Sequence, residues 1–132
     1  MPNTQSTGIA YADPEFTTCF VSDQFGYASS AQGAVTQLTS KSTGVTLDKS
    51  CGQITMNNAA LAATTNVTFT LTNSTISVKD VLVLNIYGGT SGSYNAWVSG
   101  LAAGSATITV RNITAGSLAE VLTVNFAIIH GQ

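Results

Sequence analysis

The chain is predicted to be all-β, a jelly-roll-like antiparallel β-sandwich of about eight strands preceded by an N-terminal arm. Three observations carry that prediction. Of its 132 residues, 34 are Ser or Thr, and the branched Cβ of Thr suits the pleated, half-buried surface of a strand. Short alternating segments recur at roughly ten-residue spacing between Gly, Asn and Ser clusters, the pattern of sandwiches and small barrels. No segment sustains the 3.6-residue apolar period of a long amphipathic helix.

The first 32 residues stand apart from the rest. They hold half of the acidic residues (Asp13, Glu15, Asp23), three of the five phenylalanines (Phe16, Phe20, Phe25), and Tyr11 and Tyr27. These aromatics keep no steady period apart from a strand-like stretch, Phe16 to Ser22. Gly, Ser and Ala then dilute the sequence from Tyr27 to Gln32, as in a linker. Two readings stay open. The segment is an arm or clasp that docks on a partner, with Tyr11, Phe16, Phe20 and Phe25 as anchors, or it adds a strand to the sandwich formed by residues 33–132.

Within the sandwich each element has its own signal. Gly33 to Thr39 and Gly44 to Leu47 alternate small or apolar with polar residues, and Gln53 to Met56 is a further short strand. Asn57-Asn58 breaks the pattern, leaving Ala59 to Ala63 as a helical turn or a loop. Asn66 to Asn73 is the clearest alternation, with Val67, Phe69 and Leu71 on one face and Thr68, Thr70 and Thr72 on the other. Asp80 to Tyr87 is a nearly continuous apolar run, the pattern of a central strand covered on both sides. Gly88 to Ser93 is a turn leading into Tyr94 to Ser99, and Gly100 to Gly104 turns again. Ala106 to Asn112 alternates with Ile108 and Val110 inward, Thr114 to Ser117 turns, and Ala119 to Ile129 reads as the longest and most apolar strand. Thr68 to Ser77 and Thr107 to Gly116 look alike, each running Thr–apolar alternation into Asn and a turn, a grammar that β-hairpins share.

Charge narrows the function. Only ten residues are fully charged, the net charge is −2 and the pI is near 4.9. Lys41, Lys49, Lys79 and Arg111 are scattered, so counterion release offers no route to nucleic-acid affinity. No apolar run approaches the roughly 20 residues of a membrane helix, and the first residues lack the basic and apolar regions of a signal peptide. A cytoplasmic origin is therefore expected. In that setting Cys19 and Cys51 read as small buried hydrophobes sooner than as a disulfide. Asn66, Asn73 and Asn112 begin N-x-[ST] sequons at about the frequency that the composition gives by chance, so glycosylation is not indicated.

Catalysis needs converging titratable groups, and none converge here. His130, the only histidine, reads as part of a surface tail, and neither cysteine sits in a nucleophile signature. The carboxylates lie singly, apart from Asp13 and Glu15 around Pro14. One His and two distant Cys do not make a tetrahedral metal set, and the glycines lack a phosphate-loop context. No enzyme activity, cofactor or metal is expected. Trp97, alone among Ala and Val, is expected in the core. Exposed, it would stack on a sugar ring, with Tyr94 or Tyr87.

Three segments go further: QGAVTQLTSKSTGVTLDKSCGQITMNNAALA, FTLTNSTISVKDVLVLN and GTSGSYNAWVSGLAAGSATITVRNITAGSLAEVLTVNFAIIHG. Together they span Gln32 to His130, about three-quarters of the chain. They resemble a β-structured domain of tailed-bacteriophage structural proteins, notably in TSKSTGVTL, GQITMNNAALA and RNITAGSLAE. In that group the module is a capsid decoration (cement) protein, a head fibre or the end of a tail-fibre-like protein. The resemblance implies a non-enzymatic virion component on the capsid surface, made in a bacterial host cytoplasm. Its partners would be the major capsid protein and copies of itself, as a homotrimer by analogy or as a dimer. The alternative is a carbohydrate-binding receptor tip of a tail fibre.

Overall fold

The computed structural model describes residues 15–131. Eight strands follow a single 3-10 turn at Ser29–Ala31: β1 (Gln32–Thr36), β2 (Val45–Thr46), β3 (Cys51–Thr55), β4 (Asn66–Thr72), β5 (Val81–Tyr87), β6 (Tyr94–Ala102), β7 (Ser105–Asn112) and β8 (Thr123–Ile129). They form two four-stranded sheets, ordered β1-β3-β8-β5 and β2-β4-β7-β6. The all-β sandwich expected from the Thr-rich alternation is what forms. No strand occurs in residues 15–31, so the stretch Phe16 to Ser22 does not extend a sheet.

The chain alternates between the sheets from β1 to β6 and makes one tight same-sheet hairpin, β6–β7. Each crossing reverses chain direction, so every second strand returns to its sheet running the same way. This is why β1 pairs parallel with β3 and β2 parallel with β4, while the ladders to β7 and β8 are antiparallel. The sheets are therefore mixed, with a parallel pair at one edge of each.

Period-2 alternation builds the core. Phe69 and Leu71 of β4, Ile108 and Val110 of β7, and Val124, Phe126 and Ile128 of β8 point inward and are buried with Val45, Ile54, Met56 and Leu122. Each such side chain contributes roughly 1.5–3 kcal/mol relative to exposure. One spot needs the absence of a side chain. Gly33 and Gly52 lie side by side across the β1–β3 pair, and Leu47 from the opposite layer seats over both. A Cβ on Gly52 would lie 2.7 Å from the Gly33 carbonyl oxygen.

Two buried asparagines close opposite corners of the β4–β7 ladder. Asn73 and Asn112 are both 0% exposed. Asn73 follows the last residue of β4 and donates its backbone N–H to Gly104; Asn112 ends β7 and donates its own to Thr65. In each case Oδ1 accepts from the backbone N–H and the hydroxyl of the Thr two residues on, Thr75 or Thr114. Nδ2 of Asn73 donates to the Lys49 carbonyl, and Nδ2 of Asn112 to those of Leu61 and Gly116. The two look-alike sequences thus share an Asx-turn as well as a strand pattern. The sequon asparagines at 73 and 112 are structural, and Asn66 is exposed.

A polar staple holds the β1–β2 loop. The buried Gln37 donates to the carbonyls of Lys41 and Thr43 and accepts from Asn57 N–H. The buried Lys41 donates from Nζ to the carbonyls of Asn57 and Glu120. Burial lowers the Lys41 pKa, with the Glu120 carboxylate opposing.

Three readings of the sequence are corrected. Asp80 to Tyr87 is an edge strand, β5, and not a covered central one: Val81, Val83 and Tyr87 are at least half exposed. Its outward apolar residues resemble those of a covered strand, and sequence does not say what lies above them. The last strand begins at Thr123, because Leu61–Leu118 bridging and the Glu120 contacts hold the preceding residues elsewhere; β6, with nine residues, is the longest. Gly100 lies within β6 beside a bulge at Val98/Gly100. Of the two alternatives for Ala59 to Ala63, a helical turn or a loop, the loop forms.

Candidate functional site

The arm residues come first because the sequence singles them out. Phe16, Phe20 and Phe25 are 60%, 95% and 89% exposed, and every described residue before Ala31 is exposed. Tyr11 lies outside the described residues. The arm is tied to the sandwich at its root: the Tyr27 hydroxyl donates to the Ile128 carbonyl, and Gln32 Nε2 donates to the Tyr27 carbonyl at 3.1 Å. Lys49 Nζ donates to Ser30 O at 2.9 Å. Tyr27 was visible in sequence as one more arm aromatic, but its 101-residue reach to β8 has no sequence signal.

The two outer faces differ. On the β2-β4-β7-β6 sheet the hydroxyls of Thr68, Thr109 and Ser99 bond to one another. Thr68 and Thr109 Oγ1 lie 2.9 Å apart, Thr109 donates to Ser99 Oγ at 2.8 Å, and Ser99 donates to the Thr107 carbonyl. Trp97 stands opposite Thr109 on this face and is 39% exposed. It is not in the core as expected. The parity of β6 gives the reason: Ala96 and Val98 pack against the core, so the residue between them faces out.

The outer face of the β1-β3-β8-β5 sheet is more apolar. Val81 pairs with Ile129, and Val83 with Ala127, which pairs in turn with Cys51. Next to these rows run three amides in register, Gln53, Asn125 and Asn85, with Asn125 Oδ1 buried and unpartnered. Residues Phe25 to Tyr27 form one wall of a groove of about 470 Å³ whose floor is Val83, Ala127 and Ile129, with His130 also lining it. Among the described strand residues of both outer faces, Arg111 is the one full charge.

Asp80 and Glu120 are each held by a set of hydrogen bonds. Asp80 is buried and accepts from Ser77 N–H at 2.8 Å, Ser77 Oγ at 3.0 Å, Gly131 N–H at 3.0 Å and His130 Nδ1 at 3.1 Å. The Ser77 backbone bond does most to hold its carboxyl down at about 2, against the opposing effect of burial, with Gly131, the Ser77 hydroxyl and His130 adding to it. His130 is therefore pinned and not a free tail. Because the folded pKa is depressed, this contribution is present above the ordinary value of 3.8 and is lost as pH falls toward about 2. Acid titration of stability should show a loss in that window that Asp80→Asn removes; an unchanged acid limb in the variant would refute the assignment.

A second cleft, of about 290 Å³, is lined by Ile86, Tyr87, Gly88 to Gly92 and Tyr94. Beside it the Glu120 carboxylate accepts from Thr90 Oγ1 at 2.5 Å, Thr90 N–H at 2.6 Å and Tyr94 Oη at 3.3 Å. The Thr90 hydroxyl and backbone bonds lower the Glu120 pKa. Burial, then the Glu120 charge, pushes Tyr94 up to about 12. Trp97 is on the opposite sheet from Tyr87, so the three aromatics of the glycan reading do not form one platform. Cys19 and Cys51 are free thiols; Cys19 is exposed. Among the described residues no group of three or more His, Cys, Asp or Glu is placed to hold a metal.

Fold and faces together define a class: a sparsely charged β-sandwich module with one hydroxyl-bearing and one more apolar outer face, preceded by a segment of exposed aromatics. No family model, curated protein or solved structure matches the chain.

Proposed function

We propose that the protein is a structural component of a tailed-phage virion, a capsid decoration (cement) protein or short head fibre that binds and stabilises the capsid shell. The observation that carries this reading is the pairing of a nearly charge-free sandwich with three bare arm phenylalanines. Neutral faces are buried against other subunits without the desolvation cost of charges, and exposed aromatics are the residues that dominate protein interfaces. All eight strands lie between Gln32 and His130, the stretch whose resemblance suggests this reading. Tyr11, Phe16, Phe20 and Phe25 are the proposed anchors, holding the shell or an adjacent copy.

The test is co-sedimentation of the full chain with undecorated heads of the phage that carries it. Saturable binding is expected, with roughly 100-fold weaker affinity when the four anchors are replaced by serine. A folded chain that leaves the heads bare would refute the function. A second reading, a carbohydrate-binding receptor tip, is favoured by the cleft between Tyr87 and Tyr94. It requires sugar-selective binding on a glycan array that Tyr87→Ala abolishes.

A further inference from the structure

The outer face of the β1-β3-β8-β5 sheet is left unfinished by its own chain. Its apolar rows, Val81–Ile129 and Val83–Ala127, remain at the surface, while on the opposite face Thr68, Thr109 and Ser99 bond to one another. The groove over Val83 and Ala127 has the size of a ligand pocket, roughly 300–1,000 Å³. The same chain carries, on residues 16–20, two phenyl rings that touch little of their own domain.

We propose that this groove receives the arm of a second copy, with Phe20 of one chain seated over Val83 and Ala127 of its neighbour. The inference rests on the self-association contained in the function proposed above and names its surface. Four features favour a second copy as occupant. First, donor and acceptor are present once each per chain, so reciprocal exchange closes into a symmetric assembly. Second, the arm is rooted at the groove by Tyr27, and the seven residues from there to Phe20 span roughly 25 Å when extended, enough to cross to an adjacent copy. Third, the floor of the groove is apolar, and the same chain supplies the matching apolar group in Phe20, which is 95% exposed on its own domain. Fourth, a Phe buries roughly 150–250 Å². Two per arm, counted on both partners and for both arms, reach the roughly 1,200–2,000 Å² of a stable interface.

Sedimentation velocity on the full chain tests this through trans-complementation. Phe20→Ser removes the donor, and Val83→Glu, at a half-exposed position, blocks the acceptor. The wild type is expected to self-associate, and each variant alone to do so roughly 30- to 100-fold more weakly. An equimolar mixture of the two should recover a 1:1 complex, because one intact arm and one intact groove remain. A monomeric wild type, self-association indifferent to both variants, or a mixture that stays monomeric would overturn the proposal. Diamide oxidation gives a second readout, since Cys19 precedes Phe20 and Cys51 lies across from Ala127. A Cys19–Cys51 disulfide between chains, lost in Cys19→Ser and Cys51→Ser, is expected; the same bridge within one chain would place the arm on its own groove and refute exchange. Self-association without head binding would leave arm exchange standing and remove the shell reading, and a monomer that binds heads would do the reverse.

Discussion

Replacing Asn112 with alanine is expected to lower the unfolding free energy by about 3 kcal/mol, from the cost of leaving buried polar groups unpaired. The side chain is 0% exposed and takes part in four hydrogen bonds, donating to Leu61 and Gly116 and accepting twice from Thr114. Truncation strips partners from two segments at once, the turn after β7 and the loop around Leu61, and leaves a cavity. Asn112→Asp should be comparably damaging, because it keeps the shape but turns the donor that faces two carbonyls into an acceptor. Asn73→Ala should follow the same pattern with one fewer donated bond. Asn66→Ala, an exposed sequon position, should stay within about 0.5 kcal/mol of wild type. Equilibrium urea unfolding checks the series. Near-equal stabilities for the changes at 66 and 112 would show that the turns, and not the Asn side chains, hold the corners.

Gly52→Ala is expected to cost about 3 kcal/mol, at the upper end of overpacking penalties. The new methyl would lie 2.7 Å from the Gly33 carbonyl oxygen, 2.7 Å from Leu47 Cδ2 and 3.2 Å from Phe126 Cε1. A carbonyl of the neighbouring strand yields only if β1 shifts as a whole. Gly33→Ala makes the informative comparison. Its closest contacts are side-chain atoms, Leu47 Cδ1 at 2.8 Å and Lys49 Cγ at 3.0 Å, which rotate away, so a loss below about 1 kcal/mol is expected. Adding Leu47→Ala to Gly52→Ala should recover part of the loss, a coupling that a double-mutant cycle reads directly. Thermal denaturation of the wild type, the three single variants and the double variant checks this. A larger loss for Gly33→Ala than for Gly52→Ala would contradict the proposed origin of the strain.

The candidate surfaces were legible in part. Phe16, Phe20 and Phe25 stood out because they lacked the alternation that buries an aromatic, and the structure places all three at the surface. The outward position of Trp97 is encoded too, in the shared parity of Tyr94, Ala96 and Val98, which pack against the core. The groove was not: Phe25 to Tyr27 meet Val83, Ala127 and Ile129 only because β5 and β8 are neighbours. Likewise, Asp80 and His130 are fifty residues apart in sequence, and each looked solitary.

By itself the sequence determined the all-β class, the inward residues of β4 and β7, and the positions of most turns. These follow from period-2 alternation and turn chemistry, which act between residues close along the chain. Only the tertiary structure decided that β5 is an edge, that β1 and β2 pair in parallel with β3 and β4, and that Asn73 and Asn112 lock opposite corners. Strand order is fixed by which faces meet across the sandwich after repeated crossings. An apolar run such as residues 81–87 carries the same pattern whether its outer face is covered by its own chain or left open.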